Sequence, residues 1–133
     1  MPEKKSTKTG LIGADTSFLI DFFTGDQKAA LAMQKYASQL HVSELVLYEF
    51  LCGNLTETQE KTFFTAIQPF PQAPFTRQAA IIAAKLYREQ KKKGKPVGHQ
   101  DTMIAASYLA HGVSTIITKN TSHFTHLTQT ATY

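Results

Sequence analysis

Three carboxylates stand apart from the other acidic residues in this chain of 133 residues, which has only ten Asp and Glu in all. Asp15 follows the apolar run Leu11-Ile12-Gly13-Ala14. Glu49 interrupts an apolar stretch, with Leu45-Val46-Leu47-Tyr48 before it and Phe50-Leu51 after it, and Asp101 leads into Met103-Ile104-Ala105-Ala106. Asp21, Asp26, Glu57, Glu60 and Glu89 fall instead on expected helix surfaces or turns, where a solvated carboxylate needs no special role. Taken singly, Asp15 and Asp101 are explained as helix caps or first-turn acids, and Glu49 as an interface carboxylate. Gathered together against apolar elements they are expensive unless a positive charge neutralises them. A hard divalent cation such as Mg²⁺ uses one or two carboxylates together with water and phosphate oxygens. The chemistry open to these residues together is therefore the binding of a hard divalent cation.

The elements that must position them follow from the local pattern. Leu11 to Ala14 reads as a buried strand, so Asp15 sits at the carboxyl end where parallel sheets expose ligand-binding edges. Thr16 and Ser17 offer hydroxyl caps for a helix through Phe23. Residues 27–39 carry helical spacing, His41-Val42-Ser43 reads as a second strand, and Glu44 to Leu51 as a helix stopped near Gly53-Asn54. Thr56 opens a helix containing Phe63, Phe64 and Ile67, ended by Pro69, Pro71 and Pro74, with at most a short edge strand between Phe70 and Phe75. Arg77 to Lys93 places Ala79, Ile82, Ala83, Leu86 and Gln90 on one face. A helix from Asp101 to Ala110 and a β-branched strand from Val113 to Thr118 complete the series. Strands alternating with helices predict an α/β three-layer sandwich around a central parallel sheet.

The overall composition narrows the classes further. With 42% hydrophobic and 18% charged residues, the chain reads as one domain over 10–133 preceded by a flexible segment at 1–9. The lone Cys52 excludes an intrachain disulfide and a cysteine zinc cluster, and fits a reducing cytoplasm. The apolar runs are far shorter than the roughly 20 residues of a membrane span or the core of a signal peptide. A net charge of +4 is compatible with a polyanionic partner. Lys91, Lys92, Lys93 and Lys95 are the densest part of that charge, read either as a solvated helix end or as contacts to an RNA backbone. No interleaving of aromatic and basic residues marks a single-strand stacking platform. Phe22, Phe23, Tyr48, Phe50, Phe63 and Phe64 read as core or interface. His99, His123 and His126 lack the ligand pattern of a zinc site, and neither a Gly-x-Ser-x-Gly elbow nor a glycine-rich phosphate loop occurs.

Four motifs in order resemble the PIN domain and, within it, the VapC-like toxins of prokaryotic toxin–antitoxin pairs. They are Leu-Ile-Gly-Ala-Asp15-Thr16-Ser17-Phe-Leu-Ile-Asp, Ser43-Glu-Leu-Val-Leu-Tyr-Glu49-Phe-Leu-Cys-Gly53, Gly98-His-Gln-Asp101-Thr-Met-Ile-Ala-Ala106 and Ile116-Ile117-Thr118-Lys119-Asn120-Thr121-Ser122-His123-Phe124. The resemblance spans residues 11–127 and implies a PIN-like fold with Rossmann-like topology. It also implies a single-strand-specific endoribonuclease that cleaves phosphodiesters with Mg²⁺ or Mn²⁺. Asp15, Glu49 and Asp101 carry over as catalytic, metal-binding carboxylates, with Thr16, Ser17 and Thr118 as supporting hydroxyls. The fourth motif departs from the family's commonest form, because neither Asn120 nor His123 is acidic. Asn120 can still offer a carbonyl oxygen and His123 can bind metal or phosphate, so one-metal action, or occupation of the second site only with RNA bound, becomes the expectation. The implied partners are an RNA substrate, a cognate antitoxin docked along the segment 44–67, and a second copy in a homodimer. Two other readings stay open: a PIN nuclease of RNA processing outside a toxin pair, and a binding module that kept the fold without the activity.

Overall fold

Why the chain folds around Asp15 is visible in its first strand. The structure, a computed structural model, describes residues 10–133; the expected flexible segment 1–9 lies outside the described residues. In strand β1 (Ile12–Ala14) all three residues are buried, as a strand covered on both faces requires. It occupies the middle of a five-stranded sheet flanked by β2 (Leu40–Ser43) and β4 (Thr115–Ile117). The outer strands are β3 (Gln72–Ala73) beside β2 and β5 (Gln129–Ala131) beside β4, and every pairing is parallel. Six α-helices among the described residues pack around this sheet, giving the expected α/β three-layer architecture. Ala14 is in register with Val42 on one side and Ile117 on the other. The next residues of the three central strands, Asp15, Ser43 and Thr118, therefore emerge side by side at the carboxyl edge.

Local signals account for most helix boundaries. Helix α1 (Thr16–Phe23) ends in a turn where Gly25 adopts φ +91°, a backbone state that favours glycine. Asp26 then caps α2 (Gln27–Tyr36), accepting from the Ala29 N–H at 2.9 Å. The expected helix 27–39 tightens into a 3₁₀ turn over Ala37–Gln39. Ser43 caps α3 (Glu44–Leu51), and Thr56 with Gln59 forms a reciprocal capping box at α4 (Glu57–Ile67). Pro71 and Pro74 bracket β3 and hold it to two residues at the sheet edge. Helix α5 (Arg77–Lys92) buries Ala79, Ala83 and Gln90 along one face, and α6 (His99–Leu109) packs against it.

Some boundaries, and one whole strand, differ from expectation. Helix α6 starts at His99 rather than Asp101, because the Gly98 carbonyl already accepts from Thr102 N–H and closes the first turn. The β-branched run from Val113 shortens to Thr115–Ile117, since Val113 N–H bonds back to the Tyr108 carbonyl. Strand β5 is not expected from its residues: Gln-Thr-Ala has no apolar alternation and is a strand only because β4 offers it a ladder.

The core carries the sheet's apolar faces. Phe18, Leu40, Val42, Val46, Ile104, Ile116 and Ile117 are fully enclosed, each stabilising by about 1.5–3 kcal/mol. Phe50 stacks on Phe63 with centroids 4.0 Å apart and planes 8° from parallel, while Tyr48 and Phe64 are exposed. Tyr108 fastens the carboxyl edge from beneath. Its buried hydroxyl donates to the Ala14 carbonyl at 2.5 Å and accepts from Ser43 N–H at 2.9 Å, joining β1 to β2. Burial pushes this phenol far up, so it stays neutral. Gly13 is needed beneath it, because a Cβ there would lie 2.6 Å from the Tyr108 ring.

Candidate active site at the carboxyl edge of the sheet

Parallel strands end in unpaired backbone, and here that edge is filled by hydroxyls that organise Asp15. The carboxylate is 7% exposed and its Oδ2 accepts from Thr118 Oγ1 at 2.7 Å and Ser17 Oγ at 2.9 Å. Both hydroxyls spend their single proton on Asp15, and the Thr118 oxygen in turn accepts from Asn120 N–H at 2.9 Å. The expectation that Thr16 and Ser17 cap α1 is corrected. Asp15 itself occupies the capping position without a side-chain cap, and the two hydroxyls lie inside the first turn facing carboxylates. Thr16 Oγ1 donates to Glu49 Oε1 from the neighbouring helix α3. Of the supporting residues, Thr16 thus holds Glu49, whereas Ser17 and Thr118 hold Asp15.

Asp101 arrives from the third position of α6. Burial pushes its carboxyl above the usual range, His123 pulls it back, and the negative charges of Asp15 and Glu49 push it further up. The three expected acids, from α6, α3 and the end of β1, therefore share one electrostatic environment. His123 Nδ1 stands 3.6 Å from Asp101 Oδ2. Among the described residues, no Lys or Arg forms an ion pair with Asp15, Glu49 or Asp101. Asn120 is exposed, and its side chain makes no hydrogen bond to the acids among the described residues; its contribution is the backbone N–H on Thr118.

The donor set is oxygen-rich and negative, which suits a hard cation. Among the described residues, no three His, Cys, Asp or Glu side chains stand close enough together to hold a metal ion by themselves. A cation that keeps several of its waters needs no closed cage, and carboxylates spaced around an open edge fit it.

Residues that sequence reasoning passed over complete the surroundings. Tyr108 sets the strand ends that carry Asp15, and Asp21 forms a second acidic centre. Asp21 accepts from the Tyr133 hydroxyl at 2.7 Å and pairs with Lys119 Nζ at 3.2 Å. Its helix-surface placement gave no hint of partners 98 and 112 residues away. Beside Glu49 lies an apolar groove of about 370 Å³ whose walls include Ile20, Phe23, Phe50, Leu55 and Phe63.

Comparison with known proteins bears on the family and the fold. Residues 13–128 match the PIN domain family. The chain is 27% identical over 94 residues to "Ribonuclease VapC3" of Methanocaldococcus jannaschii, covering 71% of this chain and 94% of that protein. Among solved structures, the DNA-bound VapBC of Salmonella typhimurium superposes with a TM-score of 0.80 at 22% identity, over 92% of this chain and 97% of that one. A toxin–antitoxin complex from Klebsiella pneumoniae gives a TM-score of 0.76 at 25% identity, over 90% and 95% of the two chains. With the match running from β1 through the turn after β4 and taking in all three acids, the chain belongs to the PIN domain family.

Proposed function

We propose that this protein is a Mg²⁺- or Mn²⁺-dependent endoribonuclease and the toxin of a toxin–antitoxin pair. The observation that carries the reading is the gathering of Asp15, Glu49 and Asp101, from three separate elements, at the open edge of a PIN sheet with no lysine or arginine paired to them among the described residues. The similarity to a VapC ribonuclease and to toxin–antitoxin complexes supports the substrate class and the biological setting.

In this reading Asp15, Glu49 and Asp101 hold the cation, with Asn120 offering a neutral oxygen. When bound, the cation supplies an acidified water for in-line attack on phosphorus and neutralises charge on the leaving oxygen. The chain's own groups do the positioning. Thr118 and Ser17 fix the Asp15 carboxylate, so one oxygen is committed to two donors and the other is left for the site. Thr16 orients Glu49 in the same way. The groove beside Glu49 suits the amphipathic segment of an antitoxin, and a homodimer is the expected assembly.

The test incubates purified protein with unstructured RNA in Mn²⁺, in Mg²⁺ and in EDTA. Cleavage should appear with metal, vanish on chelation, and vanish in Asp15→Asn. Cleavage that survives EDTA would sink the mechanism. Co-expression with the product of an adjacent small gene should relieve growth inhibition; an RNA-processing nuclease outside a toxin pair would show no such relief. The second reading, a binding module, is favoured by the fourth motif, where neither Asn120 nor His123 is acidic. It predicts RNA binding without cleavage under every metal condition.

A further inference from the structure

Helices α5 and α6 meet in a groove that the acid cluster does not use. His99, the first residue of α6, stacks on Tyr87 of α5 with ring centroids 4.4 Å apart and planes 18° from parallel. Tyr87 is half-buried and His99 exposed, so the imidazole rests on Tyr87 and stays accessible to solvent. Around the pair is a space of about 310 Å³, walled by Ala83, Ala84, Arg88, Thr102 and Met103. The two alanines supply the room, and Arg88 supplies a cation at its wall.

The topology brings three kinds of group to one end of this helix pair. Lys91 and Lys92 occupy the last turn of α5, and Lys93 and Lys95 follow it, all exposed. Gly94, at φ +71°, turns the chain back toward α6. Helix α6 then begins with His99 and carries Asp101 two residues later, while the residue before it, Gly98, provides no side-chain cap for the opening amides. Stacking surface, phosphate-seeking cations and Asp101 are thus placed near a single helix start, with Asp101 two residues after His99 and on a different face of the helix. In the sequence, Tyr87 and His99 are separated by the lysine run and show no interleaving; only the packing of α5 on α6 joins them.

We infer that the α5–α6 groove binds single-stranded RNA beside the helical turn that carries Asp101: a base stacks on His99, backed by Tyr87, while Arg88 and the Lys91–Lys95 cluster hold the backbone. This extends the nuclease reading and rests on it for the nature of the polymer. Stacking on an aromatic face is tolerant of base identity, and lysine contacts to phosphate are blind to it. A track built this way selects unpaired strands without selecting sequence.

Fluorescence anisotropy with a short fluorescein-labelled oligouridylate in EDTA measures binding apart from cleavage. His99→Ala should weaken binding by about tenfold or more, the loss expected for one stacked base, whereas His99→Phe should retain it. Replacing Lys91, Lys92 and Lys93 by Gln should flatten the dependence of log affinity on log salt by roughly 0.7 for each phosphate that is no longer neutralised. The track is overturned if His99→Ala binds like the wild type, if His99→Phe loses as much as His99→Ala, or if the salt slope ignores the lysines. A lowered melting temperature in His99→Ala with unchanged binding would assign the stack to stability alone. The track and the nuclease fail separately. Normal cleavage with His99-independent binding removes only the track, and His99-dependent binding with no cleavage in Mn²⁺ removes only the nuclease.

Discussion

Asp21 and Asp101 are both partly buried aspartates, yet their surroundings move their carboxyls in opposite directions. At Asp21 the hydrogen bond from Tyr133 is the largest influence, and with Lys119 it holds the carboxyl below its ordinary range against the effect of burial. At Asp101 burial dominates, the neighbouring Asp15 and Glu49 add to it, and only His123 opposes. The chain completes the charge of one centre with its own lysine and phenol. It leaves the other beside like charge, with hydroxyl donors on Asp15 and Glu49 and only the imidazole of His123, 3.6 Å away, facing Asp101. On the proposed reading, the first is a structural acid satisfied from within, and the second is an acid oriented for an external cation and left without a lysine or arginine partner. The two centres adjoin, because Thr118 serves Asp15 and Lys119 serves Asp21, and Ser17 lies close to the Tyr133 phenol.

The largest effect expected from this contrast is on cleavage. Asp15→Asn should lower the RNA cleavage rate by more than the roughly 100-fold that outer contacts contribute, while Asp21→Asn should leave the rate near that of the wild type. Equal losses in the two variants would erase the distinction. Thr118→Val removes one of the two donors on Asp15, and a decrease of about 10–100-fold in cleavage or in metal affinity is expected, read by titrating Mn²⁺ into the assay.

Stability separates the centres in the other direction. Tyr133→Phe should cost about 1–2 kcal/mol in a urea melt at neutral pH, because Asp21 loses a charge-assisted bond. The carboxyl of Asp21 is depressed in the fold, so its contribution is present above the unfolded carboxylate pKa and is lost as pH falls through the folded value. The Tyr133→Phe deficit should therefore shrink in acid. For Asp101 the sign reverses. Its folded pKa is raised, so its contribution is full below the unfolded pKa and is lost as pH rises through the folded one. At pH 7 without metal, Asp101→Asn should melt at a higher temperature than the wild type, and the gain should disappear once the carboxyl is protonated in both states. A lower melting temperature at pH 7 would show that Asp101 is a structural acid after all. The smallest effect belongs to Lys119→Gln, where a half-exposed ion pair is worth at most about 1 kcal/mol and should fade with added salt.

Much of the fold was legible where neighbours in sequence are neighbours in space. The Thr56–Gln59 box opens α4 and the prolines confine β3, both through interactions spanning a few residues. Strand β5 was illegible because Gln129–Ala131 borrows its conformation from β4. At the site, the acids could be singled out by the apolar residues beside them, but the hydroxyl geometry could not. Thr16 and Ser17 carry a capping signal that loses to two carboxylates, one of them brought in from α3. Tyr108 gave no sign at all, being one aromatic residue in an apolar helix until packing sets its hydroxyl between Ala14 and Ser43.

By itself the sequence determined the succession of strands and helices, because capping groups, proline positions and apolar periods act over a few residues. It also determined which carboxylates would lie against apolar elements. Tertiary structure alone decided that Asp15, Ser43 and Thr118 leave the sheet side by side, that Asp21 finds Lys119 and Tyr133, and that His99 meets Tyr87. Those meetings depend on strand order, register and helix packing, which are settled by burial over the whole core, and no local run of residues records them.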